Sequence, residues 1–108
     1  MKIKILPSAL EDLRHGWRFY DEQQEGLRDY FQDSLFSDIE SLNLYPGIHR
    51  VVYGYHRLLS KRFPYAIYYD FNGIDQVLVF RVLDMRRDPA SIAEDLKHGS
   101  NKPWDTTR

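Results

Sequence analysis

Arginines dominate the residues of this chain that could do chemistry. Arg50, His56, Arg57, Lys61 and Arg62 flank one β-rich run, and Arg81, Arg86 and Arg87 lie on or just past the last such run. If those runs are neighbours in one sheet, the cations converge on one surface. A guanidinium fork binds phosphate in bidentate fashion and stabilises negative charge developing on a phosphoryl group. The same arginines can instead be tied up locally, Arg86 or Arg87 with Asp84 or Asp88, as surface ion pairs commonly are. Arginine supplies neither a general acid nor a general base, which leaves His56 as the member of the group that titrates near neutrality.

Other chemistries are poorly supplied. The chain has no cysteine, which excludes disulfides, thiolate zinc sites and cysteine nucleophiles. His15, His49, His56 and His98 are not paired at helical spacing, and no carboxylate joins them at metal-ligand spacing, so no metal is expected. No glycine-rich loop precedes a lysine and a hydroxyl residue, and no cofactor is expected either. Glu11-Asp12 and Asp21-Glu22 read as solvated helix faces.

The 108 residues (12.9 kDa) fit one domain, assigned to residues 1–97 and followed by a polar tail, 98–108, with Trp104 loosely docked. A hydrophobic fraction of 43% is enough for a core and excludes wholesale disorder. No apolar run is long enough to span a membrane, and Pro7 follows Leu6 at once with no signal-like segment, so a cytoplasmic location is expected. The net charge of −1 conceals a polarity. Residues 1–45 carry 5 basic and 9 acidic groups, whereas residues 46–90 carry 7 and 4, so a local basic surface survives a neutral total.

The elements that must position these groups follow from periodicity. Lys2–Leu6 alternates like a half-buried strand. Ser8-Ala9-Leu10-Glu11 has the pattern of a capping box, opening a helix on Leu10, Leu13, Trp17 and Tyr20 that runs to about Asp21. Glu22–Gly26 reads as a turn. Leu27, Phe31, Leu35, Ile39 and Leu42 mark a second helix, which stops before Pro46-Gly47. Three β-rich runs follow, Val51–Ser60, Tyr65–Phe71 and Gln76–Leu83, with Asn72-Gly73 turning the last two into a hairpin through positive φ at both residues. In the second run Phe63, Tyr65, Ile67, Tyr69 and Phe71 share a face. In the third, Leu78, Phe80 and Val82 oppose Val77, Val79 and Arg81. Neither face is polar, so the helical hairpin covers one side and a partner is expected to help cover the other. A short helix, Ala90–Lys97, buries Ile92 and Leu96. The sum is an α+β fold: an N-terminal strand, an antiparallel helical hairpin on a mostly antiparallel sheet, and a short C-terminal helix.

Several segments of this sequence closely resemble the RelE/ParE superfamily of bacterial toxins. They are Ala9-Leu10-Glu11-Asp12-Leu13, Gln23-Gln24-Glu25-Gly26-Leu27, Arg57-Leu58-Leu59, Arg62-Phe63-Pro64-Tyr65-Ala66-Ile67-Tyr68-Tyr69 and Val82-Leu83-Asp84-Met85-Arg86-Arg87-Asp88-Pro89. The resemblance runs in order from residue 1 to about residue 97. It implies a helical hairpin on a curved sheet, the toxin half of a type II toxin–antitoxin (plasmid stabilization) module, and a cognate antitoxin as partner. ParE-like members inhibit DNA gyrase by protein–protein contact. RelE-like members are mRNA interferases, cleaving messenger RNA on the ribosome. A third outcome is a toxin-like protein that has lost activity and only binds.

Alignment on Val77-Leu78-Val79-Phe80 places Arg87 at a RelE-like catalytic position with Arg86 beside it. The arginine of the preceding strand falls on Ala66 and the C-terminal tyrosine near Ala93. The resemblance thus implies a ParE-like inhibitor first. Under the nuclease alternative Arg57, Lys61, Arg62, Arg86 and Arg87 would hold phosphate with His56, and Ala66→Arg should add cleavage to an otherwise intact site. An antitoxin segment that folds on binding would meet an apolar groove or a sheet edge, with Trp17, Phe19, Tyr20, Tyr53 and Tyr55 as aromatic candidates and Arg81 as a charged one.

Overall fold

A computed structural model describes residues 1–97; the expected tail, including Trp104 and His98, lies outside the described residues. Strand β1 (Lys2–Ile5) leads into helix α1 (Pro7–Gln23) and helix α2 (Leu27–Glu40), which ends in a single 3₁₀ turn, Ser41–Asn43. Strands β2 (Val51–Val52), β3 (Tyr55–Leu59), β4 (Tyr65–Phe71) and β5 (Gln76–Asp84) precede helix α3 (Pro89–Lys97). The sheet order is β1-β5-β4-β3-β2, antiparallel throughout except for the parallel β1–β5 pair. The α+β architecture expected from periodicity is therefore present.

Three local expectations are corrected. The capping box does not form: Pro7 opens α1, Leu6 is the N-cap, and no side chain caps the helix. Ser8 instead donates its hydroxyl to the carbonyl of Phe80 at 2.8 Å, and Glu11 pairs with Arg14. The run Val51–Ser60 is two strands, not one, because Tyr53 (φ 54°) and Gly54 (φ 85°) make a two-residue turn with both central residues left-handed, the type whose twist suits a hairpin. At the β4–β5 turn only Gly73 has positive φ. Asn72 contributes through its side-chain oxygen, which accepts the backbone amides of Ile74, Asp75 and Gln76 at 2.9–3.0 Å.

The core sits between the helical hairpin and the sheet. Phe31, Leu35 and Ile39 of α2 meet Tyr65, Ile67 and Tyr69 of β4 and Val77, Val79 and Val82 of β5. Each such burial contributes about 1.5–3 kcal/mol against exposure. Tyr20, Phe31, Phe63 and Tyr65 form an aromatic cluster with several centroids near 5 Å. Helix α1 lies so close to it that a Cβ added to Gly16 would come within 2.4 Å of Phe31 Cζ. The second face of the sheet is covered by α3, whose Ile92 and Leu96 pack with Tyr55, Ala66, Tyr68 and Leu83.

Strand β5 does not alternate as expected. Tyr68 pairs with Arg81 but Tyr69 pairs with Val79, so Phe80 is an extra residue in a β-bulge. Beyond it the faces exchange: Val82 joins Val77 and Val79 on the hairpin side, and Leu83 joins Phe80 on the α3 side. The bulge is satisfied from α1, where Ser8 and Asp12 stand one turn apart. Ser8 takes the Phe80 carbonyl and the Asp12 carboxylate accepts the Val82 amide at 2.9 Å.

Candidate functional site

The cations that the sequence groups together divide into two sets. The three on and after β5 are each neutralised. Arg81 donates Nε and Nη2 to the Asp12 carboxylate at 2.7 and 2.9 Å, and its fork also lies 3.6 Å from Asp95. The hydrogen bonds from Arg81 to Asp12 hold that guanidinium more firmly protonated than usual. Arg87 donates to Asp95 at 2.7 Å and to the Ser91 hydroxyl, so α3 is tied by Asp95 to two arginines. Arg86 pairs with Asp84 at 2.7 Å and its hydrogen bonds draw the Asp84 carboxyl below the usual carboxylate range. The local pairing of Arg86 with Asp84 was foreseeable; Arg87 chooses Asp95 over Asp88.

The second set runs along β3 and its ends. Arg57 lies opposite Tyr68 in the ladder, on the face that α3 partly covers. Arg50 precedes β2 and accepts the Arg57 amide at its carbonyl, so the two residues are ladder neighbours. Lys61 and Arg62 are exposed in the β3–β4 turn. Arg50, Arg57, Lys61 and Arg62 form no ion pair among the described residues.

His56 does not join them. Strand alternation turns it to the hairpin side, where its ring stacks on Tyr69 and its Nδ1 donates to the His49 carbonyl at 2.7 Å. The Tyr69 hydroxyl in turn accepts the Gly47 amide and shares a hydrogen bond with His49 Nδ1. Burial, then the neighbouring His56, lowers the His49 pKa from its usual value. A tautomer committed in this way to structural bonds leaves His56 poorly placed to move a substrate proton together with Arg57.

Ala66, the position where a RelE-like nuclease carries an arginine, is completely buried between β3 and β5 and under α3. Burial followed by Asp84 pushes the Tyr65 hydroxyl up to about 12, so it stays protonated. Among the described residues no group of three or more His, Asp or Glu side chains could hold a metal ion, and no helix is long and apolar enough to cross a membrane.

The aromatic candidates also divide. Tyr20 and Tyr55 are core residues, buried in the aromatic cluster and beneath α3, which removes them from the accessible surface. The partner expected on the second face is accordingly replaced in part by α3 itself. Phe19 is exposed, with the Arg86 guanidinium 5.9 Å above its ring. Tyr53 is 53% exposed at the β2–β3 turn. Trp17 is half-buried, stacked by the Arg28 guanidinium at 4.7 Å, and lines a cleft of about 430 Å³ between α1 and α2. Leu10, Leu13, Phe31 and Phe36 complete its apolar wall, with Arg14 and Arg18 also lining it. Asp12 and Asp95 were missed as anchors for Arg81 and Arg87, since ion pairs between distant elements leave no local spacing in the sequence.

A family profile described as the ParE toxin of a type II toxin–antitoxin system, parDE, matches residues 3–89. The chain belongs to the ParE toxin family. It is therefore the toxin of a type II toxin–antitoxin pair, which implies an antitoxin partner. The ParE fold is found again in a solved structure of the chromosomal ParDE toxin–antitoxin system from P. aeruginosa, with a TM-score of 0.61 and 18% identity over 76% of this chain and 92% of that one. A search of curated proteins gives no match. The profile spans α1, α2, β2 to β5 and all but the first residue of β1, and it includes Arg81, Arg86 and Arg87 but stops at the first residue of α3.

Proposed function

We propose that this ParE family toxin inhibits DNA gyrase by protein–protein contact in the cytoplasm and is neutralised by its cognate antitoxin. The observation that carries this choice over RNA cleavage is the neutralisation of Arg81, Arg86 and Arg87 by Asp12, Asp84 and Asp95. A phosphoryl-transfer site depends on donors free to strengthen their bonds as charge develops. Here Arg86 and Arg87, the donors that align with the RelE-like catalytic position, are already committed to carboxylates, and the position of a further arginine is buried alanine. The apolar cleft between α1 and α2 supports neutralisation, being shaped for the apolar face of an amphipathic antitoxin helix.

The test is pulse-labelling of DNA and protein synthesis just after induction of the chain without its antitoxin. DNA synthesis should fail first. An earlier collapse of protein synthesis would make the ribosome the target, and no change in either would leave an inactive binding protein.

A further inference from the structure

The cations of β3 have no assigned task once those of β5 are accounted for. Arg50 and Arg57 are ladder neighbours on the sheet face away from the helical hairpin, and Lys61 and Arg62 follow in the turn after β3. Tyr53 is exposed at the β2–β3 turn beside this stripe. Asp38, which accepts the Ser60 hydroxyl beside Lys61 at 2.7 Å, is buried, as is Asp70, and Asp84 and Asp95 are held by arginines. Arg50, Lys61 and Arg62 are exposed and Arg57 is partly so, and four cations spread over β3 and its ends suit a repeating line of anions better than a single small one.

We propose that this stripe binds the phosphodiester backbone of duplex DNA, through Arg50, Arg57, Lys61 and Arg62. Duplex DNA is chosen as the polyanion because it accompanies gyrase, so the choice rests on the gyrase function proposed above. Binding itself is measured without gyrase, which keeps the two separable. The contacts are to backbone and carry no base specificity.

The experiment is fluorescence anisotropy of the purified chain with a labelled 20-base-pair duplex across a salt series. Four phosphate contacts predict a slope of about −3.6 for log K against log salt. Lys61→Gln with Arg62→Gln should flatten the slope by about 2 and weaken low-salt binding at least tenfold. Both residues are exposed, so folding is preserved, and Lys2→Gln with Lys4→Gln on the opposite sheet edge should leave the slope unchanged. No duplex binding at low salt, or binding equal in both variant pairs, overturns the inference. So does a more than tenfold preference for single-stranded RNA, or an equal effect of the Gln substitutions on binding to gyrase free of DNA. DNA binding without gyrase inhibition would sustain the stripe and refute the gyrase function; inhibition without DNA binding would do the reverse.

Discussion

Asp12 of α1 grips Arg81 of β5 through two hydrogen bonds and also accepts the Val82 amide, so one carboxylate fixes both the side chain and the backbone of the bulge across 69 residues of sequence. Both side chains are mostly buried, 20% exposed for Arg81 and 12% for Asp12, where a charged hydrogen bond is worth more than at the surface. Asp12→Ala should cost about 2 kcal/mol, and a double-mutant cycle with Arg81→Ala should show a coupling of about 1–2 kcal/mol. Urea denaturation of the four proteins measures it, and additivity would mean that the pair is incidental.

Ala66 changes the meaning of a substitution that sequence alignment favours. An arginine there would place a guanidinium under Ile92 and Leu96 of α3 rather than on an open surface. Ala66→Arg should destabilise the chain by about 3 kcal/mol or more, since an unpaired buried charge is costly. Ribosome-dependent RNA cleavage should not appear. A folded variant that cleaves RNA would show that α3 yields easily and that the nuclease site is latent.

Tyr53 holds a left-handed backbone conformation that costs a side-chain-bearing residue roughly 1 kcal/mol. Asn tolerates the same φ, so Tyr53→Asn should stabilise the fold by up to about 1 kcal/mol. If the exposed phenol contacts a partner, target inhibition should weaken in the same variant. Thermal melting and an inhibition assay on one preparation separate the two effects, and a variant both stabler and equally inhibitory would remove Tyr53 from the contact surface.

His49 makes stability depend on pH. Its folded pKa lies below the ordinary 6.5, so the unfolded chain takes up the proton first. The stabilising contribution is complete above that value and is lost as the pH falls below it. His49→Gln keeps a hydrogen-bonding side chain beside the Tyr69 hydroxyl but cannot protonate. Between about pH 7.5 and pH 5.5 the native chain should therefore lose more melting temperature than the variant, and equal losses would exclude His49 as the source.

The sequence disclosed most of the architecture because burial and periodicity coincide in these elements. Tyr65–Phe71 is buried on both faces, and its boundaries are those of β4. The repeat Leu27, Phe31, Leu35 and Ile39 locates α2 for the same reason. The hairpin at Tyr53-Gly54 was hidden because tyrosine is an uncommon occupant of a left-handed position. The bulge at Phe80 was hidden because its backbone is satisfied by Ser8 and Asp12, residues whose local pattern reads as a helix start. The candidate site suffered most. Arginines near one another in the sequence are claimed by acids on different elements, and strand alternation separates His56 from Arg57.

Supercoiling of relaxed plasmid by purified DNA gyrase tests the central claim most directly. With the chain added at a molar excess over gyrase, supercoiling should stop, and prior addition of the cognate antitoxin should restore it. Undiminished supercoiling, with cleavage of messenger RNA on ribosomes by the same preparation, would contradict the account.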